Sequence, residues 1–99
     1  MQNIESVTEV IERRYQETSE FLVDNAVEKD PAAYYKAQGL NEIYEKGVFN
    51  LEDIRPQYLD KSLKMRVNEL KHLVEHSEIQ KHQGRIEALK HLVKLIGEK

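Results

Sequence analysis

The sequence has no cysteine and no tryptophan, and among its 99 residues only two are proline and four are glycine. Without cysteine there are no disulfides, thiolate nucleophiles or cysteine-ligated zinc sites. Apolar runs are short, as in Phe21-Leu22-Val23, so no segment has the length of a membrane span. The opening stretch MQNIESVTEV lacks the basic and apolar regions of a signal peptide. The expected location is therefore cytoplasmic, with no membrane association. The four glycines are isolated, which leaves no phosphate-cradling loop.

What is present favours helices. Apolar residues make up 39% and charged residues 33%, and the composition is rich in Glu, Lys, Leu, Ala and Gln. A chain of this length forms one domain with a modest core, burying about 60 to 70% of its unfolded surface. The net charge of −3 is unevenly spread. Residues 1–49 carry 10 acidic and 5 basic side chains, whereas residues 50–99 carry 8 and 10.

The hydrophobic period predicts an all-α fold of about four helices arranged as two similar helical hairpins. These are hairpin 1–47, an apolar connector at 48–56 and hairpin 57–99, together a single domain at 1–99. Val7, Ile11, Tyr15, Leu22 and Ala26 continue a stripe from Ile4, with Thr18 in the gap and Val10 and Phe21 beside it, which places helix 1 at roughly 3–28. Ser6 and Glu9 match a capping box. Asp30 and Pro31 start a second helix, and Gly47 is expected to end it in a left-handed turn. Val48, Phe49, Leu51 and Ile54 are too apolar for a free linker. Asn50 is expected to cap a short turn before Pro56.

From Gln57 to Ile96 there is no proline and a single glycine. Leu63, Val67, Leu70 and Val74 nevertheless share one face, and Ile79, Ile86, Leu89, Val93 and Ile96 share another. Ser77 and Gln80 form a second capping box where the phase slips. The phase favours two helices, about 57–75 and 77–96, over one continuous helix.

AQGLNEIYEK at 37–46 and HQGRIEALKH at 82–91 share Gln, Gly and Glu at an offset of 45. Glycine inside a helix costs roughly 1 kcal/mol relative to alanine. Two glycines at matching positions, Gly39 and Gly84, therefore suggest close helix contact. The stretches TSEFLVDNAVEKDPAAYYKAQGLNEI and LVEHSEIQKHQGRIEALKHLVKLI, about half of the chain, resemble short uncharacterised helical proteins of tailed phages. The resemblance implies a small accessory or virion-associated protein, in the virion or host cytoplasm, with no catalytic residues to carry over.

Candidate sites are few. HLVEH at 72–76 is His-x-x-Glu-His, a zinc-peptidase pattern when it lies on one helix. His72 and His76 are candidate metal ligands, with Glu75 nearby and with His82 or Glu78 as a third ligand. A peptidase also needs a substrate cleft, and only 23 residues follow His76. Solvated polar residues are the favoured reading, so no metal, no cofactor and no catalytic residue is expected. Ser6, Ser19, Ser62 and Ser77 have no His/Asp partner at a readable spacing. Tyr34 and Tyr35 beside Lys36 suit core-edge packing better than base stacking. A candidate basic surface comprises Lys64, Lys71, Lys81, Arg85, Lys90 and Lys94. Interleaved glutamates make it a solvated face before a nucleic-acid footprint.

The functional expectation is a non-enzymatic structural or interaction protein that acts as a homo-oligomer or binds a protein partner. Leu40, Tyr44, Ile86, Leu89, Val93 and Ile96 are its interface candidates. The alternative is a small regulator that binds nucleic acid or a larger protein through the basic C-terminal half.

Overall fold

A computed structural model describes residues 6–49, 56–73 and 75–97. Within them are four helices: α1 Val7–Asp24, α2 Pro31–Phe49, α3 Pro56–Leu70 and α4 His76–Gly97. The protein is all-α, as the period requires. α2 and α4 pack on each other, α1 lies on α2 and α3 lies on α4. The pairs α1–α2 and α3–α4 form the two hairpins. All four helices feed one core through Ile11, Ile43, Tyr44, Leu59, Ala88, Leu89 and Leu92.

Local chemistry sets the helix ends. Ser6 caps α1 by accepting from the Glu9 N–H at 3.2 Å, while its hydroxyl donates to the Glu9 carboxylate. α1 stops at Asp24, four residues short of the expected end, because Asn25 turns extended. Its backbone N–H and its Nδ2 both donate to the Phe21 carbonyl, so the side chain occupies an acceptor at the helix end. Ala26 consequently falls outside the helix and is exposed. Asp30 accepts from the Ala33 N–H and caps α2, with Pro31 as its first residue.

Gly47 does not end α2. The helix continues to Phe49 with Gly47 buried, and no described glycine has positive φ. The connector's first two residues, Val48 and Phe49, therefore belong to α2, while Asn50, Leu51 and Ile54 lie outside the described residues. So do Ile4 and Val74.

The phase slip marks a real break. α3 loosens into bonds spanning three residues, from Lys71, His72 and Leu73 back to Asn68, Glu69 and Leu70. α4 then begins at His76, and its first-turn bond runs from the Ile79 N–H to the Glu75 carbonyl. Ser77 thus sits inside the first turn, not at the cap. Leu59, 2% exposed, and the half-buried Leu63 and Leu70 lie along the expected stripe of α3, whereas Val67, 42% exposed, falls outside it.

Candidate binding groove

Two kinds of contact hold α2 against α4. The first is steric. A Cβ built on Gly39 would overlap the Lys81 carbonyl oxygen and lie 2.8 Å from Arg85 N. A Cβ on Gly84 would overlap the Lys36 carbonyl oxygen and lie 3.0 Å from Leu40 N. Lys36 and Lys81, Gly39 and Gly84, and Leu40 and Arg85 are each 45 positions apart. The two helices therefore meet reciprocally, each glycine seated on the other helix's backbone.

The second contact is ionic, and its two glutamates are again 45 positions apart although their cations are not. Glu42 accepts from Arg85 through Nε and, at 3.4 Å, through Nη2. Glu87, its counterpart, pairs with Lys36 at 2.7 Å. Each repeat's glutamate thus reaches a cation on the opposite helix. Such partly exposed pairs contribute little stability and more to register.

A groove of about 560 Å³ opens between α1, α2 and α4. Its floor is low because Ala33 and Ala37 stand one turn apart on α2, and Leu40 continues it toward Tyr44. Phe21 from α1, 37% exposed, forms one apolar wall. Arg14 and Glu17 on α1 and Lys36 and Glu87 across α2 and α4 give the rim both signs of charge.

At one end the Tyr44 hydroxyl lies 2.7 Å from His91 Nδ1. Burial pushes the Tyr44 hydroxyl up from 10.0 to about 12, against the opposing pull of Arg14. Burial pushes His91 below its ordinary value, and the nearby cations Arg14, Lys94 and Arg13 act in the same direction. Both shifts favour the neutral forms, with the Tyr44 O–H donating to an unprotonated Nδ1.

Other polar groups tie the hairpins internally. Asn41 on α2 donates to Thr18 Oγ1 at 3.0 Å and Ser19 Oγ at 2.8 Å on α1. His82 on α4, 1% exposed, bonds through Nε2 to the Arg66 carbonyl at 2.6 Å. A carbonyl only accepts, so Nε2 carries the proton and Nδ1 is free to accept from Arg85 Nη1 at 3.5 Å.

The structure separates the metal candidates. His72 lies in the turn after α3 and His76 is the first residue of α4, so HLVEH does not occupy one helical face. His82 faces the core, not these two. Among the described residues, no group of three or more His, Asp or Glu side chains is placed to hold a metal ion.

Of the interface candidates, Tyr44, Ile86 and Leu89 are buried in the chain's own core, while Leu40, Val93 and Ile96 are half-buried against it. Of the candidate basic surface, Lys64 pairs with Asp60, Lys81 with Glu78 and Arg85 with Glu42. Lys71, Lys90 and Lys94 are exposed. Tyr34 and Tyr35 are half-buried, with rings edge to face at 5.9 Å. Among the described residues, no helix is long and apolar enough to cross a membrane.

The Tyr44–His91 pair joins residues 47 apart in the chain and has no local sequence signal. The small-residue spacing of Ala33 and Ala37 was the available sign of the groove. Compared with protein-family models, curated proteins and solved structures, the chain matches none.

Proposed function

We propose that the chain is a non-enzymatic helical interaction protein that works as an oligomer, in the manner of the small accessory or virion-associated phage proteins it resembles. The groove over α2 carries this reading. It joins an apolar floor to a charged rim, a combination suited to receiving a side chain or helix edge from another protein. Its two titratable groups nearest the floor, Tyr44 and His91, are paired with each other and favoured in their neutral forms, an arrangement suited to packing more than to proton transfer. Val23, Phe49 and Met65 add large apolar side chains, each more than half exposed, outside the groove. Tyr44, Ile86 and Leu89 serve the core, so contact with another chain uses these outer groups.

The alternative, a regulator that meets nucleic acid or a larger protein through its C-terminal half, draws on Lys71, Lys90 and Lys94. It has less support, since Lys64, Lys81 and Arg85 already face carboxylates.

The test is the mass of the untagged protein in solution by light scattering after size exclusion. A multiple of the 11.7 kDa chain that persists on dilution is the expected result. A monomer at every concentration would overturn the oligomer reading, and DNA binding that weakens steeply with salt would favour the alternative.

A further inference from the structure

We propose that the groove between α1, α2 and α4 binds a small amphipathic carboxylic acid, with its hydrocarbon or aryl body on the α2 floor and its carboxylate held by Arg14 and His91. Such a ligand fills the groove in place of a partner's side chain and does not require an oligomer.

The fold leaves two donors unengaged at one end of the groove. The Tyr44 O–H occupies His91 Nδ1, so the ring carries its proton on Nε2. Among the described residues Nε2–H has no hydrogen-bond partner. The Arg14 guanidinium likewise has neither a hydrogen bond nor an ion pair among them, whereas the other cation of the rim, Lys36, is taken by Glu87. Arg14 and His91 both line the groove, and Arg14 is near enough to act electrostatically on His91 and on Tyr44. Arg13 and Lys94 act on His91 in the same sense, so this end is positive.

Floor and charge together select the ligand. Ala33, Ala37 and Leu40 present no polar side-chain group, and Phe21 extends the apolar surface as a wall. The volume of about 560 Å³ falls within the roughly 300–1,000 Å³ of clefts that bury most of a drug-sized molecule. A guanidinium and one imidazole N–H match the two oxygens of a carboxylate. A dianion such as a phosphate monoester fits less well, because Glu17 and Glu87 stand on the same groove and repel the added charge. A cationic head would have Glu17 to meet, since Glu87 already faces Lys36, and it would be opposed by Arg14.

The probe is decanoate, added to the isotope-labelled natural chain at neutral pH and followed by heteronuclear NMR. Saturable binding is expected, with the largest shifts at Ala33, Ala37, Leu40 and the His91 ring. Decanol and decylamine carry the same body under other heads, and each is expected to bind at least about tenfold more weakly. Arg14→Gln is expected to weaken decanoate by a similar factor. Lys71→Gln removes the same charge from an exposed position outside the groove and is expected to leave binding unchanged. Ala33→Leu raises the floor and is expected to exclude the body of the ligand.

His91 supplies a readout that loose adsorption would not move. In the free chain burial holds its value below 6.5, and Arg14, Lys94 and Arg13 act in the same direction. The other titratable groups on the groove are Glu17 of α1, Lys36 and Tyr44 of α2 and Glu87 of α4. A carboxylate beside Nε2–H favours the protonated ring, so the His91 titration is expected to move up in saturating decanoate.

Equal affinity for decanoate and decanol, or an unmoved His91 titration, overturns the placement of the carboxylate. Tighter binding of decylamine overturns it in favour of Glu17. No saturable binding of decanoate at about mM concentration overturns the site itself. The oligomer reading is unaffected by any of these results, since the solution mass of the chain without ligand tests it separately.

Discussion

In the first hairpin α2 is tied to α1 by Asn41, a half-buried amide that reaches two hydroxyls. In the second, α4 is tied to α3 by His82, a fully buried ring that reaches a backbone carbonyl. The repeated Gln-Gly-x-x-Glu sits in both inner helices, yet its members are not equally shared. Gly39 and Gly84 do the same work, and Glu42 and Glu87 do nearly the same. Gln38 and Gln83 do not: the first buries its Oε1 without a hydrogen-bond partner among the described residues, and the second is exposed. The constraint common to the two halves is therefore the backbone approach of α2 to α4. The clamps within each half are free to differ because they meet different outer helices.

Breaking what both halves share has the largest effect. Leu89→Asp places a carboxylate at a site 3% exposed and is expected to abolish folding, read as loss of helical circular dichroism. Next are Gly39→Ala and Gly84→Ala. At an ordinary helical glycine this change stabilises by roughly 1 kcal/mol. Here the new methyl meets backbone, which cannot rotate aside, so each is expected to destabilise by about 2–3 kcal/mol in urea unfolding. The sign is the test: a stabilising result at either position would show that the helices are farther apart.

Smaller effects separate the halves. His82→Leu removes the bond from Nε2 to the Arg66 carbonyl at a site 1% exposed and is expected to cost about 1–3 kcal/mol. Asn41→Leu frees Thr18 and Ser19 nearer the surface, and Thr18 still bonds to the Arg14 and Tyr15 carbonyls, so its cost is expected to be about 1 kcal/mol. Equal costs in the two variants would remove the distinction between the clamps.

Tyr44→Phe has the smallest effect at neutral pH, about 1 kcal/mol for one hydrogen bond. Its larger signature is in the pH dependence. Above pH 10 the unfolded chain loses the Tyr44 proton that the folded chain keeps up to about 12, so stability falls as pH rises through that window. The phenylalanine variant lacks this share of the alkaline loss. His91 acts at the other end: its folded value is depressed, so its contribution is present above the ordinary 6.5 and is lost as pH falls below it. Urea midpoints across pH for both proteins resolve the two windows.

The sequence reveals most where the signal is local or periodic. Ser6 with Glu9, Asp30 with Pro31, and the slip between the two stripes of residues 57–96 each reflect chemistry within a few residues, and each marks a helix boundary at or near its position. Gly47 misled because glycine permits a helix end without requiring one, and there tertiary packing continued α2. Val67 was an expected inward position that faces solvent, since period alone did not fix the rotation of α3 to one residue. Leu59, Leu92, His82 and the Tyr44–His91 pair depend on which helices become neighbours, and single-chain periodicity carries no such information. Gly39 and Gly84 lie between these cases. Their cost inside a helix was visible, and their facing each other required the fold.

The two glycines bring the α2 and α4 backbones into contact reciprocally. Nuclear Overhauser effects in the isotope-labelled chain test it most directly. The expected contacts run from Gly39 Hα to the Lys81–Arg85 backbone and, in the matching direction, from Gly84 Hα to the Lys36–Leu40 backbone. Effects from only one glycine, or from neither in a chain whose four helices are otherwise formed, would contradict it.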